Sequence, residues 1–133
     1  MTRLIYKDTH MPITFRVEQD AVFSTATGVV PLAEVIEHLR AKREAGLAAL
    51  PELFDARGIS SALSTAELRE LANETARVLG DIPPGRLAVV TNSPLIEGLT
   101  HSYALFTGQI DAELEVFGDF DQARAWLLKS RST

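Results

Sequence analysis

The sequence predicts an α/β domain: a single mixed, mostly parallel five-stranded sheet with an N-terminal antiparallel hairpin and four helices on its faces. Three observations predict it. From residue 31 onward, short β-like runs alternate with amphipathic helical stretches, the pattern of parallel strands joined by right-handed crossovers. Two β-like runs precede the first helix with only a tight turn between them, which reads as a hairpin. Leu87-Ala88-Val89-Val90 is continuously apolar, as a strand covered on both faces must be. A length of 133 residues suits one core, and no linker, repeat or low-complexity tract divides the chain.

The elements follow in order. Residues 1–12 read either as an extension or as an edge strand through Leu4-Ile5-Tyr6, ahead of the domain proper at 13–130. Ile13, Phe15 and Val17 alternate with polar neighbours as a half-buried strand requires, Gln19-Asp20 makes the turn, and the β-branched run from Val22 to Val30 is the partner strand. Pro31 opens a helix with Leu32, Val35, Ile36 and Leu39 on one face, ending near Gly46. Glu52-Leu53-Phe54-Asp55 is a short buried strand, with Pro51 at its mouth. Ser64-Thr65-Ala66-Glu67 has the capping-box pattern, and Leu68, Leu71, Ala72, Thr75 and Leu79 supply the inward face of the helix that follows. Pro94 begins a third helix to about Thr107, with Leu95, Leu99, Tyr103 and Phe106 inward. Leu114-Glu115-Val116-Phe117 is the last strand. Asp119 caps the last helix, and Phe120, Ala123, Trp126 and Leu127 give it an apolar face.

Composition excludes several function classes. Thirteen Lys and Arg against eighteen Asp and Glu give a formal charge of −5, which leaves little material for the basic face a nucleic-acid binder needs. No apolar run approaches the roughly 20 residues of a transmembrane segment, and the first residues are too polar for a secretory signal. With no cysteine there is no disulfide, thiolate metal site or cysteine nucleophile, and the reading is of a cytoplasmic protein.

The strand and helix order, together with Ile13 to Glu18 and the hairpin strand after it, Leu53-Phe54-Asp55-Ala56-Arg57-Gly58, Leu87-Ala88-Val89-Val90, Glu97-Gly98-Leu99 and the ending Val116 to Leu127, resembles the STAS-like superfamily. Its best-known members are the bacterial anti-sigma-factor antagonists, and it is similar in fold to the CRAL-TRIO lipid-transfer domains. The resemblance is closest to an uncharacterised bacterial branch. It implies a regulatory, protein-binding role. It also implies a phosphorylatable serine at the start of the helix after the Asp55–Gly58 strand end, which falls at Ser64 or Thr65. Here Leu63 precedes that position and Thr65-Ala66-Glu67 follows, unlike the acidic residue and the Ser-Gly-Leu of the antagonists.

In a parallel sheet, ligands gather at the carboxyl ends of the strands. That rule brings together Asp55, Arg57, Ser60 and Ser61 after one strand, Asn92 and Ser93 after the next, and Gly118-Asp119 after the last. Arg57 offers a planar donor fork for a carboxylate or phosphate, and the bland alternative is an Asp55–Arg57 surface pair. Phosphate on Ser64 or Thr65 would add about −1.5 to −2 of charge at a helix start, against the alternative of a plain cap facing Glu67. His101 and Ser102 point about 100° apart on a helix and cannot pair. His10, His38 and His101 show no metal-ligand spacing. Asp111, Glu113, Glu115, Asp119 and Asp121 lack the pattern of a cation loop and read as a solvated edge. Arg40, Lys42 and Arg43 complement the dipole at the end of the first helix, or face an anionic membrane surface. Leu95, Leu99, Tyr103, Leu105 and Phe106 either complete the core or gate a cavity for a greasy ligand.

The expected function is therefore a non-enzymatic regulatory or binding module that recognises a protein partner or small ligand at the strand-end loops, with no cofactor or metal. A carrier of a lipid or other hydrophobic ligand is the alternative, and a serine hydrolase using Ser60, Ser61 or Ser93 the third. A homodimer is among the expected partners, because a hairpin edge invites pairing.

Overall fold

In the computed structural model, residues 2–5, 12–108 and 114–129 are described. The elements run β1 (Thr2–Ile5), β2 (Ile13–Glu18), β3 (Ala21–Gly28), α1 (Leu32–Glu44), β4 (Glu52–Ile59), α2 (Thr65–Leu79), β5 (Leu87–Val90), α3 (Pro94–Thr107), β6 (Leu114–Phe117) and α4 (Phe120–Leu128). The strands lie side by side in chain order. β1, β2 and β3 pair antiparallel, while β3 through β6 are parallel. The five strands expected from the sequence are present, and β1 adds a sixth at the edge.

The hairpin turn places both central residues in the left-handed region, Gln19 at φ 54° and Asp20 at φ 59°. This is the primed-turn geometry whose twist matches that of its strands. β4 runs further than the apolar pattern indicated. After Thr25 meets Asp55 the register shifts past Ala56 and Arg57, and Thr27 then meets Gly58, so Gly58 and Ile59 stay laddered to β3 instead of leaving as a loop.

Helix placement follows from strand order. Each parallel crossover steps one strand in the same direction, and a right-handed connection in a constant direction puts every crossover helix on the same face. α1, α2 and α3 form that layer. α4 follows β6 and folds under the opposite face, where Ala123 and Leu127 bury against Phe23, Leu53, Ala88 and Val90. Trp126 anchors it, packing on Phe117 and receiving the Arg86 guanidinium 4.0 Å above its ring. The alternate strand residues, among them Val22, Phe54 and Val89, look toward the three-helix layer.

Helix ends match the sequence signals. Ser64 and Glu67 form both halves of the capping box, Ser93 caps α3 through Ile96 N–H, and Asp119 caps α4 through Gln122 N–H. Two helix faces differ from expectation. α1 buries His38 and Lys42, whereas its apolar residues are only partly covered. On α3 it is Ala104 that is buried, while Leu95 is 62% exposed.

Candidate functional site

Beneath α1, α2 and α3 lies a cavity of about 180 Å³. Its floor is the sheet, through Phe54, Leu87 and Val89, and its roof comes from Val35 and Leu39 of α1, Leu68 and Leu71 of α2, and Ile96 and Leu99 of α3. The wall at the carboxyl end of the strands is formed by Ser61-Ala62-Leu63, the loop leaving β4. Ala62 is exposed and Leu63, Ile96 and Leu99 are half-buried, so the cavity opens there. The surface is overwhelmingly apolar, with polar groups from His38, Glu52, Thr100 and Tyr103 deeper in and Ser61 at the mouth.

The deep end is a buried ionic cluster. Glu52 opens β4, and strand pleat turns its side chain into the helical layer. Its Oε2 accepts from Ser24 Oγ at 2.6 Å and from His38 Nε2 at 2.8 Å, and Lys42 Nζ donates to its Oε1. His38 and Lys42 lie one turn apart on α1 and therefore share a face. Burial alone would raise the Glu52 carboxyl pKa, but the charge on Lys42 and the hydrogen bonds from His38 and Lys42 outweigh it and hold the group well below the usual carboxylate range. Glu52 is thus ionised and supplies no proton, so Nε2 of His38 carries the hydrogen between them. The His38 ring is held edge-on by Phe15 at 5.4 Å and Phe54 at 5.9 Å between centroids.

Tyr103 sits beside this cluster. Its hydroxyl lies 2.8 Å from Thr75 Oγ1, which is also 2.8 Å from the Leu71 carbonyl. A carbonyl only accepts, so Thr75 donates to Leu71 and Tyr103 donates to Thr75. Burial pushes the Tyr103 pKa up, and the negative charge of Glu52 adds to it. A second pocket of about 60 Å³ shares Leu39, Glu52, Leu87 and Tyr103 with the main cavity, so these four side chains form a septum between the two.

The residues expected at the strand ends are placed as follows. Asp55 and Arg57 share a face of β4 and form a two-pronged pair, Nε to Oδ1 at 2.9 Å and Nη2 to Oδ2 at 2.7 Å. Hydrogen bonds from Arg57 hold the Asp55 carboxyl below its ordinary pKa. The Arg57 guanidinium stands 5.8 Å from the Phe120 ring and feels the charge of Asp119. Asn92 approaches Gly118 closely enough that a Cβ on that glycine would lie 3.3 Å from Asn92 Oδ1. The three strand-end segments therefore do meet at one rim. Ser60 is exposed, while Ser61 Oγ accepts from Val30 N–H and thereby ties the loop after β4 to the start of α1. Ser64 is held as a cap and Thr65 is exposed beside it.

Ser24, His38 and Glu52 look superficially like a nucleophile, base and orienter. Both polar contacts of the ring come to the same nitrogen, Nε2, and the Ser24 hydroxyl already donates to Glu52, so the relay geometry of a triad is absent there. His101 pairs loosely with Glu97 on the surface of α3. Among the described residues, no cluster of three or more His, Cys, Asp or Glu side chains could hold a metal ion, and no helix is long and apolar enough to cross a membrane. His10, Asp111 and Glu113 lie outside the described residues.

Sequence reading missed the Ser24–His38–Glu52–Lys42 cluster. Its one local signal was the four-residue spacing of His38 and Lys42, which puts two polar residues on one helical face.

No family model matches the chain, and no curated protein matches it. Among solved structures it is similar to an uncharacterised protein of the DUF3478 family with a SpoIIAA-like fold from Shewanella loihica PV-4. The identity is 20%, the TM-score 0.57, and the match covers 96% of this chain and 95% of that one. An identity so low carries architecture alone. With parallel β3 to β6, an antiparallel opening and four helices, the chain is an α/β domain of the SpoIIAA-like, STAS-like fold.

Proposed function

We propose that the protein is a non-enzymatic binding module of the cytoplasm whose ligand is a small, mainly apolar molecule held beneath α1, α2 and α3. The observation that carries this reading is the cavity of about 180 Å³ with an apolar lining and a mouth at the loop after β4. An apolar cavity of about 150 Å³ holds benzene without admitting water, so this one suits a substituted ring or a short acyl chain. It is too small for a whole drug-sized ligand, whose pockets start at about 300 Å³. The reading joins two expectations, a binding module at the strand ends and a carrier of a hydrophobic ligand, because the loop through Ser61 that was expected to bind is the lip of the cavity.

The test is a nuclear magnetic resonance titration with ethylbenzene, compared between the wild type and Leu99→Trp, which fills the cavity from α3. Saturable shifts at Leu71, Val89 and Ile96 that vanish in Leu99→Trp are expected. Absence of saturable shifts at these positions, or shifts confined to the exposed Leu95 and Leu105, would overturn the reading. Native mass spectrometry of freshly purified protein would show whether a molecule of this class is retained.

A second reading is favoured by the meeting of three loops at the rim. There Asp55, Arg57, Ser60, Asn92 and Ser93 form a polar surface for a protein partner, with Ser64 and Thr65 as candidate phosphorylation sites on its border. Arg57 already satisfies Asp55, so a partner carboxylate or phosphate would have to share the guanidinium. Loss of partner capture in Arg57→Ala with the cavity titration unchanged would assign recognition to the rim.

A further inference from the structure

We infer that the cavity selects molecules whose polar end is a hydrogen-bond donor, such as an alcohol or phenol, over those whose polar end can only accept. This rests on the cavity reading above and concerns the chemistry of its deep end.

The hydroxyl hydrogens on the deeper lining are already committed within the protein. The Tyr103 hydroxyl hydrogen goes to Thr75, and that of Thr75 to the Leu71 carbonyl. Thr100 Oγ1 donates to the Ile96 carbonyl at 2.8 Å, so its hydrogen is also committed. His38 directs Nε2–H at Glu52. Glu52, ionised, only accepts. Its Oε2 takes Ser24 and His38, while Oε1 takes Lys42 and keeps lone-pair capacity. The backbone N–H groups of the surrounding helices and strands are tied into their own ladders. Three residues of the lining, Glu52, Thr100 and Tyr103, therefore offer oxygen lone pairs and no side-chain hydrogen. The one lining hydroxyl whose hydrogen is not assigned by this count is Ser61, at the mouth.

A buried acceptor left facing another acceptor costs the full desolvation of both, whereas a donor placed between them makes a bond in an apolar surround. Selection should accordingly work more by rejection of acceptor-only ligands than by attraction of donors, the asymmetry by which a polar pocket discriminates best. An apolar ligand of the same size can still enter the apolar part and leave the deep end untouched.

Benzyl alcohol and benzaldehyde make the comparison, since they are nearly equal in size and differ in whether the oxygen can donate. Dissociation constants from nuclear magnetic resonance titration should favour the alcohol by about tenfold. Tyr103→Phe, which removes one acceptor, should reduce that ratio severalfold, an unchanged urea midpoint and an amide spectrum altered only around the cavity showing that the variant keeps its fold. If ethylbenzene enters but benzaldehyde binds as well as benzyl alcohol, the donor rule is overturned while the cavity reading stands. A ratio unchanged in Tyr103→Phe overturns the part assigned to Tyr103. Failure of all three probes to enter overturns both readings together.

Discussion

Replacing Glu52 by Gln tests whether the buried cluster is a compensated network or incidental polarity. The substitution preserves volume and strand pairing but removes the negative charge that faces Lys42 and His38. The Lys42 side chain is only 11% exposed and that of Glu52 only 9%, so solvent cannot take over the role of the carboxylate. Two acceptor positions on Oε2 and one on Oε1 are in use, and an amide supplies one oxygen and a hydrogen-bearing nitrogen in their place. At least one of the donors from Ser24, His38 and Lys42 then faces an N–H. Breaking a buried pair by removing one partner costs about 3–5 kcal/mol, a large share of the roughly 5–15 kcal/mol that holds an ordinary domain together. Urea unfolding followed by circular dichroism at neutral pH should show that loss, and the thermal midpoint should fall by roughly 10–20 °C. The double change Glu52→Gln with Lys42→Met should recover part of it, because the stranded ammonium is gone. A loss below about 1 kcal/mol for the single variant, the range of an exposed pair, would mean that the carboxylate is not what compensates Lys42 and His38.

Four further outcomes are expected. Because the Glu52 carboxyl is held below its ordinary pKa of 4.5, the unfolded chain binds its proton first; stability from the cluster is present above that value and is lost as pH falls toward the folded pKa. Urea midpoints measured down through pH 4 should fall less in Glu52→Gln than in the wild type. Ser64→Ala removes the hydroxyl half of the α2 capping box and should cost about 1 kcal/mol, and no loss in the same urea assay would mean the cap is redundant. Gly98 lies inside α3 with nothing within 4 Å of where a Cβ would stand, so Gly98→Ala should raise stability by about 0.5–1 kcal/mol. Gly85→Ala should lower it, since the added methyl collides with the Leu50 carbonyl.

The parts of the fold legible in the sequence are those carried by period and punctuation. The unbroken run Leu87 to Val90 marks a strand sandwiched between layers, and Ser64 with Glu67 marks the start of α2. What escaped was any feature that hydropathy ranks last. The apolar spacing on α1 puts Leu32, Val35, Ile36 and Leu39 inward, and Val35 and Leu39 do line the cavity, but the buried positions are His38 and Lys42, whose burial makes sense only once Glu52 arrives from β4. Neither partner announces the other, because the pairing depends on a parallel register fixed by the sheet as a whole. Leu95 failed in the opposite sense: it has the right spacing for the core of α3 and faces solvent. The extension of β4 through Arg57-Gly58 was hidden by residues that usually announce a loop, and a bulge against Thr25–Thr27 accommodates them. The cavity left no local mark, since residues that line it and residues that fill a core are of the same kind.

The order of the sheet bears on how the chain is made. Because each strand joins the one synthesised just before it, the ladder can lengthen progressively as the polypeptide leaves the ribosome, each parallel strand being added after its own crossover helix. The surface formed by Phe23, Leu53, Ala88 and Val90 is covered by α4, which emerges after all six strands. A nascent chain that has reached β6 but not Leu127 displays this greasy patch to its surroundings, and that interval is when the protein is most open to capture by a chaperone or by its neighbours on the same messenger.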